Sequence, residues 1–596
     1  MISAILSNTK VKPSSFIIVV THYHCQTSMK INSSMLFLAL TLLFSTANAK
    51  IWPQPKYELH QITKPLLYIS PTISFIPSFQ SPILTYNFHK YRTLIAASAT
   101  KSPPSLHSTQ ILNNITIHIA SNNDELSIST SYRYNITIET PTKAFITTDT
   151  IYGVSHALES LTQIFLNGSS HPVTIHDHPT FPWRGLMLDV GRRYAPVALI
   201  ENLLTTMAAV KLSVLHLHAS DYCRFSIESK IYPQLSSKLQ PGMIDAGYYS
   251  QDDIKHLIQF AKNQGIRIVP EFDLPGHVYK WAEVLEATDT GLSMCNGTDH
   301  TIYNDAKNKS FQVLHALIGE MSALFADDVM HLGMDEVADP APCTTNGTLS
   351  LEIELFNAVK NDFGKTIMGW NPISNVAVAS AVIDKSKVII NSYMNNGAAK
   401  FVQDGFSVVD SESSKWYFTH PAGWDLRKEC RPAGCKGSKG WDMCWNNPGG
   451  DSNSASDSGG KSSSNGNVLG GEISMWTDDY IQRECGAHGS KLGLANASCF
   501  YSRKMDVGFQ NSIGGLIWPR GIVAAGAFYN FNATLNASSV EFIQRIHQMN
   551  DMLAKRGSYV CKSNQVCSYV SEGEKYYDGI EQGELVGYSC SKQKIV

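Results

Sequence analysis

The stretch that decides the fold runs from residue 329 to residue 337 and reads Val329-Met330-His331-Leu332-Gly333-Met334-Asp335-Glu336-Val337. It combines a short apolar run, typical of a buried strand, with a glycine and two adjacent carboxylates where that strand would end. Barrel enzymes keep their reactive groups at the carboxyl ends of parallel strands, so the pattern is typical of a catalytic site. An Asp-Glu pair also begins many helices, where carboxylates complement the helix dipole. The remainder of the chain has to distinguish the two interpretations.

The composition is that of a globular protein without a strong charge bias. The 596 residues are 43% hydrophobic and 17% charged, which is enough apolar mass for a large core and a second domain. The formal net charge is −3 and no long Lys/Arg block occurs, so nothing predicts a nucleic-acid or anionic-membrane partner. A neutral substrate fits this charge balance better.

Residues 1–49 have the features of an N-terminal extension and a secretory signal peptide. Lys30 precedes an apolar run from Met35 to Phe44, and Ala47-Asn48-Ala49 supplies small residues for cleavage. The run is shorter than the roughly 20 residues that span a bilayer, and no later segment qualifies as a membrane span. Met29 is a plausible initiator. The sequence therefore predicts entry into the secretory pathway, with delivery to the extracellular space, a vacuole or a lysosome.

Sequons and cysteines agree with export. Asn-x-Ser/Thr sites, which carry glycans in exported proteins, occur at Asn114, Asn135, Asn167, Asn296, Asn308, Asn346, Asn496, Asn532 and Asn536. Of the 12 cysteines, Cys25 falls in the leader, and the others predict disulfides with one cysteine left unpaired or intermolecular. The spacing of Cys430, Cys435 and Cys444 resembles a zinc site, but the absence of a suitably spaced fourth ligand favours disulfides.

The chain divides into two folded regions near residue 181. Residues 50–181 show β-branched alternation and one amphipathic helix, which predicts a small α+β accessory domain. Residues 182–560 alternate apolar strands with helical patterns, which predicts an α/β fold, a (β/α)₈ TIM barrel. We also expect a disordered Gly/Ser/Asn-rich insert near residues 446–467 and a Cys-containing tail at 561–596.

Eight candidate strands make up the predicted barrel: Arg184–Asp189, Ser213–His218, Ile266–Glu271, Val329–Gly333, Thr366–Trp370, Lys387–Asn391, Gly405–Asp410 and Val468–Glu472. Charged and aromatic side chains lie at or just after the ends of several of them. Because barrel strands are parallel, these side chains are expected to converge on one face.

Six short motifs follow one another through this region: Phe181-Pro182-Trp183-Arg184-Gly185-Leu186, His216-x-His218-x-x-Asp221, Glu271-Phe272-Asp273-Leu274-Pro275-Gly276-His277, His331-x-Gly333-x-Asp335-Glu336, Gly470-Gly471-Glu472-x-x-Met475-Trp476 and Trp518-Pro519-Arg520. In this order they resemble the catalytic domain of the β-N-acetylhexosaminidases of glycoside hydrolase family 20. Residues 50–181 resemble the accessory domain of the same family.

The resemblance implies an exo-acting, retaining hydrolase of terminal β-linked N-acetylglucosamine or N-acetylgalactosamine that needs no cofactor and no metal. Most glycosidases divide the chemistry between two carboxylates, whereas here the substrate's own 2-acetamido oxygen is the implied nucleophile and closes to an oxazolinium ion. Glu336 is the implied general acid and then base, and Asp335 the residue that holds the acetamido N–H. For proton donation we expect burial and the anionic neighbour to raise the pKa of Glu336.

The same resemblance implies a sugar pocket around that pair. Arg184 is expected to bind the 3- and 4-hydroxyls, and Tyr417 the acetamido carbonyl. The other expected substrate-binding residues are Trp370, Tyr393, Trp476, Asp478 and Trp518. Asp221 and His277 are expected as a pair that steers the acid, with His331 in the same supporting layer. Without the motifs, each lone tryptophan would more often be a core residue.

Several positions depart from the family's pattern: Asn371 follows Trp370 in place of an acidic residue, Tyr393 stands in place of tryptophan, Thr419 and Asp478 replace other polar residues, and Ala525-Gly526 and Tyr529 replace Ala-Glu and tryptophan. None of these changes removes the implied acid or the acetamido-holding residue. They concern contacts to the 4- and 6-hydroxyls and the pocket wall, and they predict weak activity or a shifted sugar preference.

Two other interpretations stay open. His216 and His218 lie on one face of a strand at metal-ligand spacing, as in a metal-dependent barrel hydrolase. The departures also fit a secreted glycan-binding protein on a degenerated glycosidase fold. The expected partner is a carbohydrate with a terminal N-acetylhexosamine, and a homodimer is left open.

Overall fold

A computed structural model provides the coordinates for this protein. The residues that it describes are 51–99, 110–221, 224–236, 243–244, 247–295, 301–337, 345–382, 384–394, 397–418, 444–449, 467–477, 499–500, 513–514, 517–537, 539–560, 565–568 and 589–592. Asp478, Thr419, Cys430, Cys435, the signal region and most of the predicted insert and tail lie outside these ranges. No helix in the described ranges is long and apolar enough to cross a membrane.

The first folded part is a seven-stranded sheet covered by two helices. Its strands are β1 (Tyr57–His60), β2 (Leu67–Pro77), β3 (Ile111–Ile119), β4 (Tyr134–Thr140), β5 (Lys143–Thr148), β6 (Ser169–Ser170) and β7 (Val173–Asp177), in the order β1-β7-β4-β5-β3-β2-β6. Alternate residues of β4 are buried, as the β-branched alternation predicts. Helices Pro82–Ala99 and Ile151–Ile164 supply the apolar cover, and the Thr150 side chain caps the second by accepting from two backbone N–H groups.

The second part is a closed barrel of eight parallel strands. They are β8 (Trp183–Asp189), β9 (Val214–Asp221), β12 (Arg267–Leu274), β15 (Val329–Gly333), β16 (Thr366–Trp370), β17 (Val388–Ser392), β18 (Ser407–Asp410) and β19 (Val468–Met475), and β19 pairs with β8 while β8 pairs with β9. All eight predicted strands are present, which confirms the (β/α)₈ prediction. Because both faces are covered, β8, β9 and β12 are buried along their whole length.

Side chains fill the barrel interior. One residue from each of seven strands contributes to an interior cluster: Trp183, Val214, Val269, Val329, Met368, Ile389 and Val409. A larger apolar cluster lies between the strands and the outer helices. The barrel is therefore a packed core, and only its rim can hold a substrate.

Helices connect and surround these strands. Their bounds are Val197–Ala209, Gln251–Asn263, Tyr279–Ala287, Lys309–Leu324, Thr345–Asn357, Ile373–Ala379, Gly397–Gln403, Ser413–Trp416, Arg520–Asn530 and Val540–Lys555, with short turns of other helix types at Pro233–Ser236, Ala358–Asp362 and Lys385–Lys387. The predicted capping box is confirmed, because the Ser250 side chain accepts from the Asp253 N–H while the Asp253 carboxylate accepts from the Ser250 N–H.

Short strands lie outside the two main sheets: β10 (Arg224–Phe225), β11 (Met243–Ile244), β13 (Ser293–Met294), β14 (Ile302–Tyr303), β20 (Cys499–Phe500), β21 (Gln565–Ser568) and β22 (Ser589–Lys592). β21 and β22 are antiparallel, and Cys567 is directly opposite Cys590. Cys295 is disulfide-bonded, as the sequence analysis expects of its cysteines.

Candidate active site

A tight turn after β15 presents the two adjacent carboxylates. Gly333, Met334 and Glu336 have φ values of 69°, 65° and 49°, in the left-handed region that side chains rarely adopt. Gly333 is needed for a second reason, because a Cβ at this position would overlap Oδ1 of Asp273. The His331 Nδ1 accepts the Gly333 N–H at 2.9 Å and supports the turn from below. The strain is concentrated where the sequence places the chemistry.

Asp335 is buried, with 7% of its surface exposed. Its Oδ1 atom has no hydrogen-bond partner among the described residues, although it is shielded from solvent. Burial, followed by the charge of Asp273, holds the pKa of Asp335 well above its usual range, with smaller contributions from Glu271 and Glu336. Asp335 is therefore a carboxyl that a hydrogen-bond donor, above all a cationic one, would stabilise.

Glu336 has the opposite environment. Its side chain is 67% exposed, and Oε2 lies 3.5 Å from Nε2 of His277. The hydrogen bond from His277 lowers the pKa of Glu336, and this effect exceeds the opposing effect of partial burial. The expectation of a raised pKa is wrong for the open pocket, because the sequence does not show that His277 approaches so closely.

His277 links Glu336 to a buried carboxylate. Its Nδ1 lies 2.7 Å from Oδ2 of Asp273, and burial raises the pKa of Asp273 to about 6. The pairing of His277 with Asp221 was expected from the sequence. Asp273 is the direct hydrogen-bond partner, and Asp221 contacts His218 and Arg192. The charge of Asp221 nevertheless acts on His277: against the effect of burial, Asp273 and then Asp221 raise the pKa of His277 well above its usual range.

Four aromatic rings enclose the space beside the carboxylates. The Trp370 ring lies 5.7 Å from Tyr393 and 5.5 Å from Trp476 between centroids, and Tyr417 lies 6.2 Å from Trp476. Burial raises the pKa of Tyr393 to about 12, with the next contributions from the nearby Asp335 and Glu336. The structure thus brings together four of the aromatic residues that the sequence nominates. Such walls suit the apolar face and acetamido methyl of a sugar.

Arg192 is a pocket residue that is not among the site residues predicted from the sequence. Its guanidinium donates to Asp189 at 3.1 Å, pairs with Asp221 at 2.9 Å and lies 5.1 Å from the Trp476 ring centroid. Its charge also contributes to the lowered pKa of Glu336. The available signal was its position just after the end of β8, where a parallel barrel collects functional groups.

Arg184, by contrast, lies away from the pocket. It is fully buried at the amino end of β8, where it donates to the backbone carbonyls of Lys211 at 2.8 Å and Phe181 at 2.7 Å. Its guanidinium also lies over the rings of Tyr132 and Tyr529. The assignment of Arg184 to the sugar hydroxyls is therefore wrong. The residue joins the accessory domain to the end of the barrel where the strands begin, which we call the closed end.

Trp518 and two of the departures also lie outside the pocket. Trp518 belongs to the apolar cluster outside the barrel strands and not to the group formed by the pocket rings, so its assignment as a wall is wrong. Gly526 packs against Trp52, where a Cβ would overlap the indole ring. Tyr529 donates to Asp177 at 2.9 Å. Asn371 accepts the Tyr393 N–H at 2.8 Å, so this departure shapes the wall itself.

The histidines of the metal-dependent alternative are held in ion pairs. His216 lies between Glu472 and Glu271, and His218 lies between Glu271 and Asp221, with each ring nitrogen 2.6–3.0 Å from a carboxylate oxygen. Although burial opposes protonation, these carboxylates raise the pKa of both histidines, and a protonated imidazole offers no lone pair to a metal. This geometry favours a charge network over metal ligation.

A barrel rim that combines two adjacent carboxylates with a cluster of aromatic rings is typical of one class of protein, the barrel glycosidases. The family model described as "Glycosyl hydrolase family 20, catalytic domain" matches residues 181–485, and a model described as "beta-acetyl hexosaminidase like" matches residues 51–164. The chain belongs to glycosyl hydrolase family 20, and it is a glycosidase of the β-N-acetylhexosaminidase type.

Relatives and solved structures agree with this assignment. The chain is 26% identical to beta-hexosaminidase 1 of Arabidopsis thaliana over 432 residues, covering 65% of this chain and 77% of the relative. It is 26% identical to beta-hexosaminidase subunit A2 of Dictyostelium discoideum over 412 residues, covering 63% and 73%. The chitobiase of Flavobacterium johnsoniae has a TM-score of 0.61 at 20% identity, covering 86% of this chain and 74% of that one, which shows the shared fold.

Proposed function

We propose that this protein is an exo-acting hydrolase that releases terminal β-linked N-acetylglucosamine or N-acetylgalactosamine from oligosaccharides or glycoconjugates with retention of configuration. The observation that carries the proposal is the contrast between two adjacent residues. Asp335 is buried with an unpaired oxygen, whereas Glu336 reaches into the open pocket beside His277. This arrangement suits one carboxyl that holds the substrate and one that exchanges a proton.

In the first step, Glu336 donates its proton to the glycosidic oxygen as the bond to C1 breaks. The carbonyl oxygen of the substrate's 2-acetamido group attacks C1 and closes an oxazolinium ring, so no protein nucleophile is required. In the second step, a water molecule attacks C1, the bond from C1 to the acetamido oxygen breaks and restores the acetamido group, and Glu336 takes a proton from the water. Because the acetamido oxygen and the water attack in turn, C1 retains its configuration.

Asp335 holds the acetamido N–H through its unpaired Oδ1. Burial and then the neighbouring carboxylates raise the pKa of Asp335, and these carboxylates also favour a positive charge, which the oxazolinium nitrogen supplies. Tyr417 donates its hydroxyl proton in a hydrogen bond to the acetamido carbonyl. Trp370, Tyr393 and Trp476 form the walls that exclude water.

Arg192 takes the role for which the sequence suggested Arg184. A guanidinium provides paired N–H donors that suit two neighbouring hydroxyls of a sugar ring. Asp189 and Asp221 hold it from one side, and the Trp476 ring faces it. A bound sugar would also cover Glu336, and the loss of water raises the pKa of this carboxyl toward the protonated state that the first step requires.

The decisive experiment compares the wild-type protein with Glu336→Gln on an aryl β-N-acetylglucosaminide and on the matching aryl β-glucoside. We expect the wild type to hydrolyse the N-acetylated substrate at least about 10³-fold faster, because only this substrate carries the nucleophile. Glu336→Gln should lose about 10²- to 10⁴-fold in rate on a disaccharide, whose leaving oxygen needs a proton, while still binding N-acetylglucosamine. Equal turnover of both aryl substrates would overturn substrate assistance. Binding without hydrolysis in the wild type would instead support the glycan-binding alternative.

We further propose that the protein acts in the secretory pathway, outside the cell or in a vacuole or lysosome. The signal-like segment within residues 1–49, the sequons and the disulfide-bonded Cys295 support this location. Intact mass measurement of the protein from a eukaryotic secretory host, before and after enzymatic removal of N-glycans, tests it. An uncleaved N-terminus without glycans would contradict the proposal.

A further inference from the structure

A line of buried charges runs beneath the pocket, from the middle of the barrel to its rim. Carboxylates and cations alternate along it, and the side chain of Arg192, the last cation, is only 14% exposed. In spatial order the groups are Glu472, His216, Glu271, His218, Asp221, Arg192 and Asp189. Burying so many charges costs free energy, and a buried charge that loses its partner is strongly destabilising. The line must therefore stay intact as a unit.

The first cation of the line is His216. Its Nδ1 lies 3.0 Å from Oε1 of Glu472, and its Nε2 lies 2.9 Å from Oε2 of Glu271. Burial alone would lower the pKa of His216, but the two carboxylates raise it to about 9. The imidazolium form is thus the form present near neutral pH.

The second cation is His218. Its Nδ1 lies 2.6 Å from Oε2 of Glu271 and its Nε2 lies 2.8 Å from Oδ2 of Asp221. Burial opposes protonation, yet Glu271 and Asp221 raise the pKa of His218 well above its usual range. Asp221 in turn pairs with Arg192 at 2.9 Å, so His218 and Arg192 share one carboxylate.

Glu271 also joins this line to Trp370, one of the four aromatic rings of the pocket. Besides His216 and His218, it contacts His331, whose Nδ1 lies 3.1 Å from Oε1, and through the same Oε1 it accepts the indole N–H of Trp370 at 2.8 Å. These contacts therefore form a continuous polar chain in space, which runs in the order Trp370, Glu271, His218, Asp221, Arg192. It connects a ring of the acetamido wall to the guanidinium beside the sugar hydroxyls.

We propose that Glu271 and His218 are positioning residues that couple Trp370 to Arg192, so that the acetamido wall and the hydroxyl-binding arginine act as one recognition unit. The inference rests on the proposed function, because it assigns both ends to the sugar site. It also gives Glu271 and His218 a role in specificity. A sugar that contacts only Trp370 or only Arg192 gains nothing from the alignment of the second group.

A double-mutant cycle tests this coupling directly. Trp370→Phe keeps an aromatic wall but removes the N–H that Glu271 accepts, and Arg192→Lys keeps the charge but removes the paired donors. We would measure kcat/KM for an aryl β-N-acetylglucosaminide and, by calorimetry, the Kd of N-acetylglucosamine. Groups in one hydrogen-bond network are non-additive, so the double variant should lose less than the product of the single losses by a factor of about 3 or more.

A second contact path has to be separated from the proposed one. Trp476 lies 5.5 Å from the Trp370 ring and 5.1 Å from the Arg192 guanidinium, so it touches both ends. The cycle is therefore repeated with Glu271→Gln in the background, which cuts the charge line and leaves Trp476 in place. We expect the coupling factor to fall to about 1, and a factor that persists would assign the coupling to Trp476 and overturn the proposal.

Controls keep the test decisive. Asp177→Asn disrupts the Lys211–Asp177 pair, which is equally buried but lies at the closed end of the barrel, and should leave the coupling factor unchanged. If Glu271→Gln does not fold, as judged by thermal unfolding, His218→Gln replaces it in the cycle. Additive losses in the wild-type background would overturn the inference alone. Absence of both hydrolysis and N-acetylglucosamine binding would overturn the proposed function together with the inference.

Discussion

Exchanging the two candidate arginines for lysine gives the sharpest test of how the pocket is built. Arg192→Lys retains a positive charge that can still pair with Asp189 or Asp221, so the fold should survive. The change removes the paired N–H geometry that two sugar hydroxyls require. Arg184→Lys makes the same chemical change at the opposite end of β8, and is therefore the matched control.

The expected magnitude follows from the contacts. A hydrogen bond from a charged donor contributes about 1.5–3 kcal/mol, and lysine cannot reproduce one of the two that Arg192 is proposed to make. Since 1.36 kcal/mol corresponds to a tenfold change in rate, kcat/KM should fall roughly 10- to 100-fold. Arg184→Lys loses donors to the carbonyls of Lys211 and Phe181, so its cost of about 1–3 kcal/mol should appear in the free energy of unfolding.

Steady-state kinetics on an aryl β-N-acetylglucosaminide, together with chemical unfolding of both variants, separates the two roles. The reasoning predicts a kinetic loss without a large change in stability for Arg192→Lys, and the reverse for Arg184→Lys. It would be refuted by a large loss of kcat/KM in the folded Arg184 variant while the Arg192 variant remained as active as the wild type.

Two further predictions concern the turn that carries the acid. His277→Ala removes the hydrogen bond that lowers the pKa of Glu336, so this pKa should rise. Because the acid acts in its protonated form, the alkaline limb of the kcat/KM profile should move to higher pH. A limb that stays in place or moves to lower pH would contradict the assignment of Glu336 as the acid. Gly333→Ala combines a left-handed backbone with overlap against Asp273 and should cost about 2–5 kcal/mol in unfolding free energy. The control is Gly364→Ala, where φ is 66° and the space around an added Cβ is open, and it should cost only about 1–2 kcal/mol. Equal losses in the two variants would argue against the overlap.

The alternation of apolar strands and helical patterns made the barrel predictable. β15 and β16 have the bounds expected from the sequence, and the others differ by a few residues at their ends. The local pattern suffices because a strand buried on both faces must be apolar, and a short run of that kind between helices has few other uses. The same logic placed Asp335 and Glu336 at the end of β15.

The error over Arg184 shows what motif matching leaves out. Arg184 and Asp189 belong to one strand and are five residues apart, so they are separated by about 17 Å at 3.3–3.4 Å per residue. A group at the start of a barrel strand therefore cannot meet groups that follow the strand ends. By this geometry Arg184 is excluded from the site at the carboxyl ends of the strands, whereas Arg192, just after the end of β8, is included.

The pKa of Glu336 could not be predicted for a different reason. It depends on His277, which is 59 positions away in sequence and reaches Glu336 only because β12 and β15 are neighbours. A sequence shows which groups titrate, whereas the sign of a shift depends on which group approaches within hydrogen-bonding distance. The departures at Gly526 and Tyr529 have a similar explanation, because only the fold shows that they lie away from the pocket.

Under the proposed function, substrate binding reverses the ionisation tendencies of Asp335 and Glu336, and so corrects both for catalysis. In the open pocket Asp335 tends toward the neutral form, while Glu336 tends toward the anion. Catalysis requires the reverse, a carboxylate beside the oxazolinium nitrogen and a proton on the acid. A sugar without an acetamido group would bury Glu336 but supply no cationic nitrogen to Asp335, so it would correct only one of the two. Selectivity for N-acetylated sugars therefore arises from the charge that the substrate develops as well as from the shape of the pocket.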